Sequence, residues 1–121
     1  MLMLVSRTPL LFETDIEPGT HITAIGSDTP EKQELAPGIL QKAYTIVTDS
    51  LSQCRQRGEI YKAIQSGVID GRNILELGNI IQNPNQANRA NGSISVADLT
   101  GVAVQDIQIA TAVCKVLEQA Q

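Results

Sequence analysis

The stretch "HITAIGSDTPEKQELAPGILQKAYTIVTDS", residues 21–50, decides the fold class. Its first part, "HITAIGS" (21–27), is a β-branched, strand-like run of the length expected for a sheet buried on both faces. A second such run is "AYTIVTDS" (43–50). Between them "TPEKQELAPGILQKA" has helical composition, interrupted by Pro37-Gly38. Strand, helical crossover and strand make a βαβ unit, whose two strands run parallel.

Outward from this unit the same alternation continues. Residues 1–5 read as a short strand, and "LLFETDIEPGT" as a helical or irregular connection ending at Pro18-Gly19. Ser50 to Gly67 is polar and helix-forming, with Gly58 as a break and Gly67 as a C-terminal stop. "NILELGNIIQ" (73–82) reads as a further helix, and the Asn-rich residues 83–93 as a loop. "SISVADLTG" reads as a last strand, followed by a closing helix over about 102–119. On that helix Ala103, Ile107, Ala110, Cys114 and Leu117 form one apolar stripe, which Ile109, Val113 and Val116 widen. So wide a face predicts packing on the sheet and against a second surface. The expected fold is therefore α/β, with a mainly parallel sheet flanked by helices and with 21–27, 43–48 and 93–98 as adjacent strands.

Composition narrows the function classes. The 121 residues carry a formal charge of -4 and only Phe12, Tyr44 and Tyr61 as aromatics. Neither the cationic surface nor the stacking platforms of a nucleic-acid binder are present. Cys54 and Cys114 lie far apart with no C-x-x-C spacing, so a metal or redox motif is not indicated. No apolar run approaches bilayer length, and "MLMLV" lacks the basic flank and cleavage site of a signal peptide. The expected setting is cytoplasmic, with no membrane partner and no metal.

Gly26-Ser27-Asp28 lies at the C-terminal end of a parallel strand, where open α/β sheets place their ligands. Asp28-Thr29-Pro30-Glu31 also has the form of a capping box, and both readings stand together. Lys32 then falls in the first helical turn, a place the macrodipole disfavours for a cation, although a solvated surface lysine is the ordinary alternative. Asp98 or Thr100 reads as the N-cap of the closing helix. His21, with no partner acid or nucleophile near it in sequence, reads as structural, and Ser6 lacks a nucleophile-elbow context. No G-x-G-x-x-G occurs in these residues.

In order and spacing, "PGTHITAIGSDTPEKQEL", "IVTDS", "GEI", "ELGNII" and "ISVADLTGVAVQDIQIATAV" resemble the C-terminal half of the ornithine cyclodeaminase/mu-crystallin family. The resemblance implies a partial Rossmann-like domain over residues 1–121, the C-terminal half of a nucleotide domain. It implies NAD or NADP as cofactor and hydride exchange at the α-carbon of an amino or cyclic imino acid, of cyclodeaminase, alanine dehydrogenase or ketimine reductase type. By the same resemblance Asp28 is the catalytic acid, while Ile25, Gly26, Ser27, Asp28, Lys32 and Leu99 contact the cofactor and Thr100 the substrate.

Departures from the family pattern qualify this picture. Leu2, Met3, Leu4 and Val5 stand where relatives carry a Thr-rich strand end, and Leu99 and Thr100 stand where cyclodeaminases have a Ser and a small apolar residue. That favours the broader, reductase-like relatives. The glycine-rich turn and the substrate domain of the family would lie upstream of Met1. The chain alone is then expected to be inactive, and to form homo-oligomers or to pair with a separately encoded N-terminal half. A non-catalytic remnant or oligomeric interaction module is the competing expectation.

Overall fold

The computed structural model describes Met1 and residues 6–119. The strand expected at residues 1–5 thus lies outside the described residues. Four strands, β1 (His21–Ala24), β2 (Thr45–Thr48), β3 (Ile74–Glu76) and β4 (Ser95–Asp98), form one sheet in the order β1-β4-β2-β3, and every pair is parallel. The three strands expected to be adjacent are so, with the last in sequence between the first two. Among the described residues five α-helices, α1 (Pro37–Lys42), α2 (Leu51–Cys54), α3 (Gly58–Gln65), α4 (Leu77–Gln82) and α5 (Ala103–Gln119), and two short 3-10 turns, Glu13–Asp15 and Pro84–Gln86, complete the order.

Alternation along the strands sends Ile22, Ala24, Ile46, Ile74 and Val96 to one face, where Leu35, Ile39, Leu40, Ile60 and Ala63 cover them. Each Leu or Ile so buried contributes roughly 1.5–3 kcal/mol. Ile60, Ala63 and the partly buried Ile64, at helical spacing, give α3 its apolar face. Gly67, with φ +75, ends it as a left-handed residue just past the last turn. The other face of the sheet stays open. Thr23, Val47, Ala97 and Leu99, with Leu77 and Ile80 of α4, line a groove of about 450 Å³ on that side.

Three expectations need correction. The crossover is not helical from Thr29 onward; only Pro37–Lys42 is. Ala36, held extended ahead of Pro37, cannot enter a helix, and the backbone before it is already paired elsewhere. The Glu34 carbonyl accepts from Leu10 and Leu11, and the N–H of Ala36 donates to the Leu11 carbonyl at 2.8 Å. "NILELGNIIQ" splits into β3 and α4, because Ile74 and Leu75 find partners in Ile46 and Val47 of β2. The Glu76 carboxylate then accepts the Leu51 N–H at 2.8 Å and ties this edge to α2.

The third correction concerns α5, all of whose described side chains are exposed, among them Ile107, Ile109, Val113 and Leu117. Gly101, with φ +81, turns the chain before the helix starts, and α1 and α3 already occupy the covered face of the sheet. No helix among the described residues is long and apolar enough to cross a membrane.

Candidate functional site

Parallel pairing brings Ala24, Asp98 and Thr48 into one row, so the segments leaving β1, β4 and β2 emerge side by side. The Leu99 N–H donates to the Ala24 carbonyl at 2.9 Å and carries the pairing one residue past β4. Beyond Ala24 the chain bends sharply, with the Asp28 N–H donating to the Gly26 carbonyl at 3.2 Å. A second turn follows, in which the Lys32 N–H reaches the Thr29 carbonyl at 3.3 Å. Asp28 therefore caps no helix and Lys32 lies in none, which corrects the capping-box reading.

These two turns bring the acid and the base together. Lys32 Nζ lies 2.5 Å from Asp28 Oδ1, with 55% of the Asp28 side chain exposed and 22% of the Lys32 side chain. The Lys32 hydrogen bond, aided by the more distant Arg57 guanidinium, holds the Asp28 carboxyl below the usual carboxylate range. Asp28 is thus an ionised, solvent-facing carboxylate at neutral pH, suited to accept a proton or steady a cation rather than to donate.

Under this corner lies a layer of buried carboxylates. The Gly26 N–H donates to Glu34 Oε2 at 3.2 Å, and Glu59 accepts the N–H groups of Glu34 (2.7 Å) and Leu35 (3.0 Å). Burial pushes the Glu59 carboxyl up, against the opposing pull of Ser27 and these two amides. The Ser27 hydroxyl is buried near enough to Glu59 to act electrostatically, yet it meets no partner at hydrogen-bonding geometry.

Asp98 does not cap α5. Its Oδ2 accepts the Ile60 N–H at 2.8 Å and so serves the N-terminus of α3. Burial pushes its carboxyl up to about 8; the Ile60 N–H opposes the rise, and the Glu59 and Asp49 carboxylates add to it. Thr100 is buried and turned inward, its hydroxyl 3.3 Å from Asp49 Oδ1 and 3.2 Å from Gln53 Oε1. Gln53 Oε1 also accepts from Arg57 Nη2 at 2.5 Å, and the guanidinium so held acts on Asp28.

Ile25, Gly26, Ser27, Asp28 and Lys32 thus share one corner, and Leu99 and Thr100 leave the neighbouring strand. Sequence reasoning missed Glu34, Asp49, Arg57 and Glu59. The only signal for Glu59 was its place after Gly58, where a carboxylate suits a helix start. His21 is structural, bonded to Ser95 Oγ at 2.7 Å and Thr23 Oγ1 at 3.1 Å. Among the described residues no group of three His, Cys, Asp or Glu side chains could hold a metal ion.

The geometry has close counterparts. The iminosuccinate reductase of Paracoccus denitrificans, solved in complex with NAD+, superposes with a TM-score of 0.90 at 34% identity, over 98% of this chain and 36% of that one. An archaeal alanine dehydrogenase dimer with bound NAD gives 0.84 at 38% identity, over 96% and 37%. An uncharacterized cyclodeaminase of Sinorhizobium fredii is 41% identical over 104 residues, 85% of this chain and 31% of its own length. The chain spans about a third of the length of such curated relatives. Residues 3–121 match the sequence profile of the ornithine cyclodeaminase/mu-crystallin family, and this chain belongs to that family.

Proposed function

We propose that this chain supplies the nicotinamide-side half of an NAD(P)-dependent site that exchanges hydride at the α-carbon of an amino or cyclic imino acid. The observation that carries the reading is the juxtaposition of Gly26-Ser27-Asp28 and Leu99-Thr100 at neighbouring parallel strand ends, with the Asp28 carboxylate open to solvent. The residues suit one end of a dinucleotide better than the other. Gly26 has no side chain at the corner to hinder a nicotinamide, but these 121 residues hold no glycine-rich helix start to cradle a pyrophosphate.

When bound, the dinucleotide provides the hydride donor or acceptor. Asp28, ionised, faces the positive charge that develops as the α-carbon becomes an imine carbon, and takes up the proton that the nitrogen or an attacking water gives up. Lys32 holds the carboxylate in direction through their ion pair, and its ammonium turns to the cofactor when the pair opens.

Millimolar NADH added to the 15N-labelled chain is expected to shift amide resonances at Ile25–Lys32 and Leu99–Gly101 in fast exchange. No shift in those segments sinks the reading. Calorimetry on the same chain is expected to show affinity weaker than millimolar, with no turnover of ornithine or cyclic ketimines. Should binding be tighter, Lys32→Ala is expected to weaken it more than Asp28→Ala.

Self-association belongs to the same proposal. The exposed apolar residues of α5 support it, as does the dimeric state of the archaeal relative. Light scattering at micromolar concentration is expected to give a mass above the 13.0 kDa of one chain, and a stable monomer contradicts it.

A further inference from the structure

We infer that Glu59 is a positioning residue, which braces from below the corner on which Asp28 and Lys32 meet. The inference rests on the proposed function for what the corner does, and on geometry alone for how the corner is held.

The corner has little order of its own. Between Ser27 and Gln33 there is no helix or strand, and the segment is bonded by the two turns already described and by the Gln33 N–H to the Ser6 carbonyl at 2.9 Å. Its two ends are fixed from α3. At the far end both oxygens of Glu59 are used, Oε1 on the Glu34 amide and Oε2 on the Leu35 amide. At the near end Glu34, itself fully buried, reaches back to the Gly26 amide. The span that Asp28 and Lys32 must close is therefore set by a two-step chain of hydrogen bonds that starts at the buried Glu59.

Glu59 is in turn held rigidly. It sits in the first turn of α3 and is 1% exposed, and the next amide, Ile60, is bonded to Asp98. A buried carboxylate is tolerable only when its lone pairs are met, and here two successive amides meet them. No ligand can reach Glu59, so any effect on the site passes through the corner. The charged group acting on Glu59 is the Glu34 carboxylate, and those acting on Asp98 are the Glu59 and Asp49 carboxylates; those acting on Asp28 are Lys32 and Arg57.

The test is the titration of the Asp28 carboxyl carbon by NMR in the full chain. Lys32→Ala defines the midpoint of an unpaired Asp28. Glu59→Gln replaces one accepting oxygen by an NH2 group, so one amide loses its partner and the corner slackens. Its Asp28 midpoint is expected to rise toward that of the Lys32→Ala chain. Ile39→Val, a core change in α1, is expected to lower the melting temperature and leave the midpoint unmoved. A folded Glu59→Gln chain with the wild-type midpoint overturns the inference.

Should Glu59→Gln fail to fold, amide exchange in the wild-type chain decides. Glu34 and Leu35 exchanging as slowly as interior α3 amides supports the brace, and exchange at the rate of exposed loops overturns it. The NADH titration reads the functional proposal separately. A shifted Asp28 midpoint without any NADH response would sink that proposal and support the brace.

Discussion

Gly58→Ala is expected to destabilise the fold by about 3 kcal/mol in urea denaturation, far more than a glycine-to-alanine change at an ordinary turn. Two costs combine. Gly58 has φ +92, where an L side chain is strained by roughly 1–2 kcal/mol. A β-carbon there would lie 2.6 Å from Asp98 Oδ2 and 2.7 Å from Thr100 Cγ2. Neither neighbour can yield cheaply, since that same oxygen accepts the Ile60 N–H and the Thr100 hydroxyl is directed at Asp49 and Gln53. Overpacking of this kind adds roughly 1–3 kcal/mol. Gly67→Ala is the matched comparison: φ is +75 and nothing lies within 4 Å, so only the backbone strain remains, about 1 kcal/mol. Equal losses at the two positions would show that Asp98 and Thr100 do not close on the start of α3.

Asp98 should make stability fall as pH rises. Its carboxyl is near 3.8 in the unfolded chain and about 8 in the folded one, so between those values the folded state keeps a proton that the unfolded state has released. The stabilisation is complete below about pH 4 and is lost as pH climbs through the window to about 8; above that it changes no further. The loss is at most about 1.4 kcal/mol per pH unit. Asp98→Asn removes the titration while its amide oxygen still accepts the Ile60 N–H. Its stability relative to wild type should therefore start near zero at pH 4 and grow by up to roughly 5 kcal/mol by pH 8. Asp98→Ala, which leaves the Ile60 N–H buried and unpaired, should instead lose about 2–4 kcal/mol at pH 5. Parallel stability curves for wild type and Asp98→Asn would refute the buried, protonated acid.

Both predictions concern one place, the N-terminus of α3. There Asp98 arrives from β4, Glu59 supports the Asp28 corner, and Gly58 lets the two approach. A single helix start thus joins the ends of β1 and β4. None of these partners was visible from local sequence, because Asp98 and Ile60 are 38 positions apart and Glu59 and Glu34 are 25 apart.

By itself the sequence determined three of the four strands of the sheet and the strand-end corner that carries Asp28 and Lys32. β1, β2 and β4 are short β-branched or apolar runs separated by crossover-length connections, a pattern that strand pairing satisfies almost alone. Asp28 and Lys32 at a strand end were legible for the same reason. Only the tertiary structure decided that they pair across two turns, since the amides that would have extended a helix back from Pro37 are taken by Glu59 and the chain around Leu11. It decided likewise that Asp98 serves α3, because a buried acid goes to whichever unsatisfied amide packing places beside it. The apolar pattern of α5 was readable, but which surface a helix faces depends on where the preceding turn aims it, and Gly101 aims this one away from the covered face. Periodicity and composition act within a few residues; hydrogen-bond satisfaction and packing choose among partners that only folding brings together.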